Sequence, residues 1–249
     1  YVNYISDKGN IHVIRNGGSD QTIAASRRVN IHTPKGIVRG VFGWPAIHVR
    51  KGKDANLAPT LENIFIDVGA KDKKEVEELG IHVGCVITYD DGHEEINKKC
   101  FIGRALDNRL GGYCIAEVAR KLFEEKIKLP YSLYVVNSVQ EEVGLHGATM
   151  IAQTIRPDVA IITDVTHDTS TPLIDAKQEG DVRLGLGPAL TYAPSVHRKL
   201  LQLIEEAAQV NNIPFQRVAS SRSTGTDTDA FAYANGGIPS ALISIPLRY

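Results

Sequence analysis

Val159-Ala160-Ile161-Ile162-Thr163-Asp164 is the stretch that decides the fold. An unbroken apolar run of this kind reads as a strand buried on both faces, the pattern of a parallel sheet. The run ends at an acidic residue, and in open α/β sheets the ligand sites form beyond the carboxyl ends of the strands. A second buried strand is expected at Ala241-Leu242-Ile243-Ser244-Ile245. Around these two runs the period changes to that of helices. Residues 107–121 place Leu110, Cys114, Val118 and Leu122 at i, i+4 spacing, and residues 148–154 read as a further helix. Residues 195–210 form a long amphipathic segment with Ser195 as its expected N-cap. Residues 131–139 read as another strand. Helix and strand alternate, so residues 96–249 are expected to form an α/β unit, a mostly parallel sheet with helices on both faces.

Working outward toward the start, residues 1–95 follow a different grammar. Short β-like runs such as Ile11-His12-Val13-Ile14-Arg15, Arg28-Val29-Asn30-Ile31-His32, Ile37-Val38-Arg39-Gly40-Val41-Phe42 and Ile64-Phe65-Ile66-Asp67-Val68 are separated by Gly and Pro turns. Such spacing predicts a small barrel or sandwich, with one short helix over residues 73–79 stopped by Gly80. The opening residues, Tyr1 to Ser6, read as the end of a strand that belongs with the α/β unit, and the last residues also read as a strand cut short. Both features predict that further residues lie beyond each end.

Composition sets the outer bounds. The 249 residues are 43% apolar and 23% charged, which excludes disorder as the main theme. With 28 basic against 29 acidic residues the net charge is -1, so no basic excess points to nucleic acid. No apolar run approaches the roughly 20 residues of a membrane helix. The cysteines, Cys85, Cys100 and Cys114, are odd in number and lack CxxC spacing. A disulfide scaffold and a thiolate zinc site are therefore not expected, and the expected location is the cytoplasm.

The chemistry-bearing residues are acidic. Asp107 lies where a loop enters a helix, Glu141-Glu142 follow the strand expected over 133–140, and Asp164 ends the buried run. Taken singly, Asp107 could merely cap its helix and Glu141-Glu142 could merely begin one. Together at one sheet edge they form a costly like-charge cluster that cations relieve. Oxygen-rich donors without thiolates suit divalent zinc, cobalt or manganese, completed by histidine. Among the histidines, His146 and His167 closely follow site segments, whereas His12, His32, His48, His82, His93 and His197 read as surface or turn residues. Asp227 and Asp229 are candidates either for capping the next helix or for lining a pocket. Gly111-Gly112 suggests a close backbone approach, since no phosphate-binding fingerprint is present.

The ordered set Gly103-Arg104-Ala105-Leu106-Asp107-Asn108-Arg109, Gln140-Glu141-Glu142-Val143-Gly144, Thr163-Asp164-Val165, Gly225-Thr226-Asp227 and Ile245-Pro246-Leu247-Arg248-Tyr249 resembles the tetrahedral (TET) dinuclear aminopeptidases of metallopeptidase family forty-two. The resemblance covers essentially the whole chain. It implies a three-layer, zinc-peptidase-like catalytic domain interrupted by a β-barrel dimerisation domain. It further implies dimers assembled into a tetrahedral dodecamer, peptide substrates, and two divalent ions (zinc or cobalt) per subunit. By position, Asp107 matches the bridging carboxylate, Glu142 a ligand of one metal, Asp164 a ligand of the other, and Glu141 the general base. Asp227 and His167 are carried as substrate contacts. The family's two remaining ligands are histidines that fall outside residues 1–249. The run Ser223-Thr224-Gly225-Thr226-Asp227-Thr228-Asp229 departs from the glycine-rich run of many members, which bears on specificity.

Other activities compete. A related two-metal carboxypeptidase or deacylase would share the same core chemistry. A glycoside hydrolase would need carboxylates on opposite sides of a sugar bond, which adjacent Glu141-Glu142 do not supply, and the 6% aromatic content offers few sugar platforms. A non-catalytic assembly protein is the remaining class, against which stands the retention of Asp107, Glu141, Glu142 and Asp164.

Overall fold

The structure, a computed structural model, describes residues 1–52 and 56–249. The chain divides into two compact units, Tyr1–Arg104 and Ala105–Tyr249.

The first unit holds strands β1 (Val2–Ile5), β2 (Ile11–Val13), β3 (Arg28–Thr33), β4 (Gly36–Gly43) and β5 (Phe65–Asp67), helix α1 (Lys73–Glu78), and strands β6 (Val86–Tyr89), β7 (Glu94–Ile96) and β8 (Cys100–Ile102). The first six strands make one antiparallel sheet in the order β1-β2-β5-β4-β3-β6, while β7 and β8 form a separate hairpin. Val2 donates its backbone N–H to Cys85 at 2.9 Å and accepts one from Gly84 at 2.9 Å, so the sheet curls its two edges toward each other. The opening residues, expected to finish a strand of the α/β unit, pair with β2 inside this curled sheet. Ile11, Val29, Ile31, Ile64, Ile66, Val76 and Ile81 bury their side chains within it. Each contributes about 1.5–3 kcal/mol relative to exposure. Asp72 caps α1 by accepting from the Glu75 N–H at 2.9 Å, and Gly80 at φ +88° ends it as the sequence predicts.

The second unit contains α2 (Leu106–Glu124), α3 (His146–Ile155), β9 (Ala160–His167), α4 (Ala176–Glu179), β10 (Ala189–Tyr192), α5 (Arg198–Val210), β11 (Gln216–Ala219), α6 (Asp227–Ala232) and β12 (Ser240–Leu247). Its sheet runs β11-β10-β12-β9. β9 is parallel to β12 and β10 to β11, while β10 and β12 are antiparallel. The unit is thus mixed α/β, with α2 and α6 packed on β9 and α5 on β12.

Three local expectations need correction. Asp164 does not end its strand: β9 continues to His167, because β12 stays in register with it from Ser240↔Ala160 through Ser244↔Asp164 to Leu247↔His167. Residues 131–139 form no strand and join no described sheet, and Tyr131, Tyr134 and Val139 are exposed. Their β-like composition reports a preference for a pleated surface, and no described strand lies alongside to supply the ladder. Finally, α5 starts at Arg198 with His197 as its N-cap, not Ser195. The Val196 N–H donates to Ala193 and the His197 N–H to Ser240, holding residues 193–197 in a bend against the start of β12.

Candidate active site

The acidic residues are placed by three tight backbone features. Asp107 sits inside the first turn of α2 in a non-helical conformation, at φ -81° and ψ 110°. The helix is therefore not capped by Asp107. The neighbouring Asn108 does that work: its Oδ1 accepts the Gly111 N–H at 2.9 Å, and its Nδ2 donates to the Thr163 carbonyl of β9 at 2.8 Å. Asn108 thus ties the start of α2 to the strand that carries Asp164. Gly111 makes this possible, since a Cβ there would meet Asn108 Oδ1 at 2.5 Å and Thr163 Oγ1 at 2.8 Å. The close backbone approach read from Gly111-Gly112 belongs to Gly111; a Cβ at Gly112 would meet nothing nearer than Asn137 Oδ1 at 3.8 Å.

Glu141 and Glu142 lie on a 3-10 turn, Glu141–Val143, ahead of α3. Gly147, at the start of α3, donates to the Val139 carbonyl at 2.9 Å and seats the helix against residues 139–140. Left-handed residues flank the acidic segments: Ala105 (φ 57°) before Asp107, and Gln140 (φ 61°) and Leu145 (φ 58°) on either side of the glutamates. None is glycine, so each carries backbone strain.

The carboxylates act on one another. Burial first, and then Asp164, Asp227, Glu142 and Asp107 in turn, push Glu141 up to about 7. Burial raises Asp164 to about 6, against the Val165 N–H that donates to it at 2.8 Å and with help from Asp107, Asp227 and Glu142. Glu142 is raised by desolvation and then by Asp107. Asp107 is exposed as a residue, yet desolvation of its carboxyl raises it, opposed by the charge of His167. Asp227, on the first turn of α6 behind its N-cap Thr226, is raised by burial against a hydrogen bond that Ser138 donates to its Oδ2. Its other oxygen, Oδ1, is buried without a hydrogen-bond partner among the described residues.

Asp107, Glu141, Glu142, Asp164 and Asp227 therefore share one electrostatic environment, and His167 reaches it through Asp107. His146 opens α3, and the Asp229 carboxylate accepts the Thr224 and Gly225 N–H groups. Ser138 and the clamp role of Asn108 were missed. Asn108 could have been suspected from Gly111 three residues on, the spacing at which a side-chain oxygen reaches back to a helix N–H. No signal in the sequence marks Ser138. No three His, Cys, Asp or Glu side chains among the described residues are set to hold a metal ion as they stand. The donor chemistry fits one nonetheless: hard oxygens, mutual repulsion that a divalent cation relieves, and a buried carboxylate oxygen without a partner.

The chain is 34% identical over 254 residues to a lysyl aminopeptidase of Pyrococcus furiosus, matching all of this chain and 70% of that one. Its fold matches a TET aminopeptidase from a marine sediment archaeon of the Thaumarchaeota at a TM-score of 0.93 and 30% identity, over all of this chain and 70% of the other. A Pyrococcus horikoshii TET peptidase described as able to assemble into a tetrahedron or a large octahedral shell matches at a TM-score of 0.82 and 26% identity, covering 100% of this chain and 72% of that one. The fold and its relatives define a hydrolase of the aminopeptidase class. The chain belongs to the M42 glutamyl aminopeptidase family, whose model it matches over residues 1–249.

Proposed function

We propose that this protein is a dinuclear metal-dependent aminopeptidase. What supports this most directly is the set of four carboxylates acting on Glu141, in a chain whose family and relatives are aminopeptidases. In this reading Asp107, Glu142 and Asp164 would hold two divalent ions (zinc or cobalt), with Asp107 the carboxylate shared between them, and two histidines outside residues 1–249 would complete the set. Bound ions of this kind supply Lewis-acid polarisation of the scissile carbonyl and acidify water.

The protein's own residues do the rest. Glu141 takes a proton from the attacking water and delivers it to the leaving amine. Asn108 keeps Asp107 beside β9. Ser138 orients Asp227, which with His167 faces the peptide. The curled sheet of the first unit serves as the family's inserted dimerisation barrel. Assembly of dimers into a tetrahedral dodecamer in the cytoplasm belongs to the same reading, on the likeness to shell-forming relatives.

The test is a panel of aminoacyl-anilides and blocked peptides presented to the intact natural chain, with added cobalt or zinc and with chelator. Chelator-sensitive release from free amino termini is expected. Glu141→Gln is expected to retain bound metal while turnover falls by about 10²–10⁴-fold. Turnover like the wild type in that variant removes Glu141 from the base role. Release only from amino-blocked peptides moves the assignment to a carboxypeptidase or deacylase.

A further inference from the structure

A cavity in the second unit lies away from the carboxylates. It has a volume of about 930 Å³ and is lined by residues of the 192–199 bend, the end of β11, the end of α6 and the start of β12. β12 runs from Ser240 at this cavity to Ser244 opposite Asp164, so the cavity and the acidic cluster lie toward different stretches of one strand.

Its chemistry is the reverse of the acidic site. No Asp or Glu is among its lining residues, while Arg198 and Lys199 are. These two open the 13-residue helix α5, whose first N–H groups carry the positive end of the helix dipole. The His197 side chain accepts the Leu200 N–H at 3.3 Å, and among the described residues the N–H groups of Arg198 and Lys199 are left for an outside acceptor. Lys199 contacts Gln202 at 3.2 Å, whereas Arg198 has no ion pair among the described residues.

An independent observation is Ser195. Sequence reasoning assigns it the N-cap, but His197 holds that position. Ser195 instead lines the cavity at 4% exposure, and its hydroxyl has no hydrogen-bond partner among the described residues. A buried unsatisfied hydroxyl costs about 1–3 kcal/mol, a debt that a ligand oxygen would cancel. Around these polar groups the walls are apolar or aromatic, including Pro194, Val196, Ile238 and Tyr233. A cavity of this size with a few convergent polar groups on apolar walls is the form of a small-molecule site.

We infer that this cavity binds a small organic anion, a carboxylate or phosphate head on an apolar or aromatic body. The head docks at the start of α5 against Arg198 and the Ser195 hydroxyl, and the body lies along Pro194 and Ile238. The site needs no metal and is independent of the peptidase reading.

Calorimetric titration of the intact protein, in chelator so that metal-bound anions do not contribute, tests this. Phenyl phosphate and 3-phenylpropionate are the anionic probes, 3-phenylpropanamide the neutral control and inorganic phosphate the bodiless one. Saturable binding of at least one anionic probe is expected, about tenfold tighter than the amide and tighter than inorganic phosphate. Arg198→Gln, at an exposed position, is expected to weaken it about tenfold, and Ser195→Ala to weaken it by a smaller factor. Which head group binds better names the source of the ligand. The proposal is overturned by absence of saturable binding for both anionic probes, by equal binding of the amide, or by unchanged affinity in folded Arg198→Gln.

Discussion

At the scale of single residues, the site depends on side chains that touch no substrate. Asn108 bonds both the start of α2 and the β9 backbone, and so ties the residue after Asp107 to the residue before Asp164. Asn108→Ala removes both bonds and is expected to cost about 1–3 kcal/mol. Denaturant unfolding measures that loss, and a fall in kcat beyond it is expected because Asp107 drifts. Asp168 acts on the local fold through its bonds to Ser170 and Arg248. It is 1% exposed; burial alone would raise its carboxyl, but hydrogen bonds from Ser170 and Arg248 outweigh this and hold it at about 2. A carboxyl held below its unfolded value of about 3.9 stabilises the fold fully above that value. The contribution is lost as pH falls through about 4 toward 2. Thermal unfolding across that window should show the decline, and Asp168→Asn, less stable at neutral pH, should flatten it. Asp107, Glu141, Glu142 and Asp164 could be picked out as candidates in the sequence because acidic residues beside apolar runs are conspicuous, and the structure brings them into one electrostatic environment. Ser138 and Asp168 could not be, because a hydroxyl or carboxylate that reaches a partner tens of residues away leaves no local pattern.

At the scale of elements, legibility followed burial. β12 was readable because none of its residues is exposed, so its apolar run is continuous, and β9 carries a similar run although Ile161 is exposed. The segment 131–139 has equal β-propensity, yet the ladder is a property of a neighbour and not of the segment. With Tyr131, Tyr134 and Val135 exposed, it presents backbone that joins no described sheet beside apolar side chains, the kind of edge that recruits other chains. Val135→Lys is expected to lower concentration-dependent light scattering of residues 1–249 without changing the melting temperature by more than a few degrees. The start of α5 was misread for a related reason: Ser is a better intrinsic cap than His, but the bonds from Val196 and His197 to Ala193 and Ser240 fix where the helix can begin. Leu201, 1% exposed between β10 and β12, anchors that helix, and Leu201→Ala is expected to cost about 2–5 kcal/mol by chemical denaturation.

At the scale of the whole molecule, two units with different grammars share one chain. The hydrophobic period of the sequence changes near residue 100, and the first compact unit closes at Arg104. The mixed direction of the second sheet was not legible, because β10 and β12 read the same whichever way they run; only the connection through α6 turns the chain about. The proposed assembly makes a prediction here. Sedimentation of the intact natural chain should give a species many times the subunit mass, and its failure to exceed a dimer would confine the shell to the relatives.

Ala105, Gln140 and Leu145 occupy left-handed backbone that glycine adopts freely. In a laboratory selection for heat resistance alone, glycine should therefore accumulate at these positions, each exchange gaining at most about 1 kcal/mol after the added freedom of the unfolded chain is counted. Survivors of such a selection should melt later and turn over more slowly, because the same stiff corners aim the carboxylates. Heat tolerance and catalytic rate would then be read out at opposite ends of the same three φ angles.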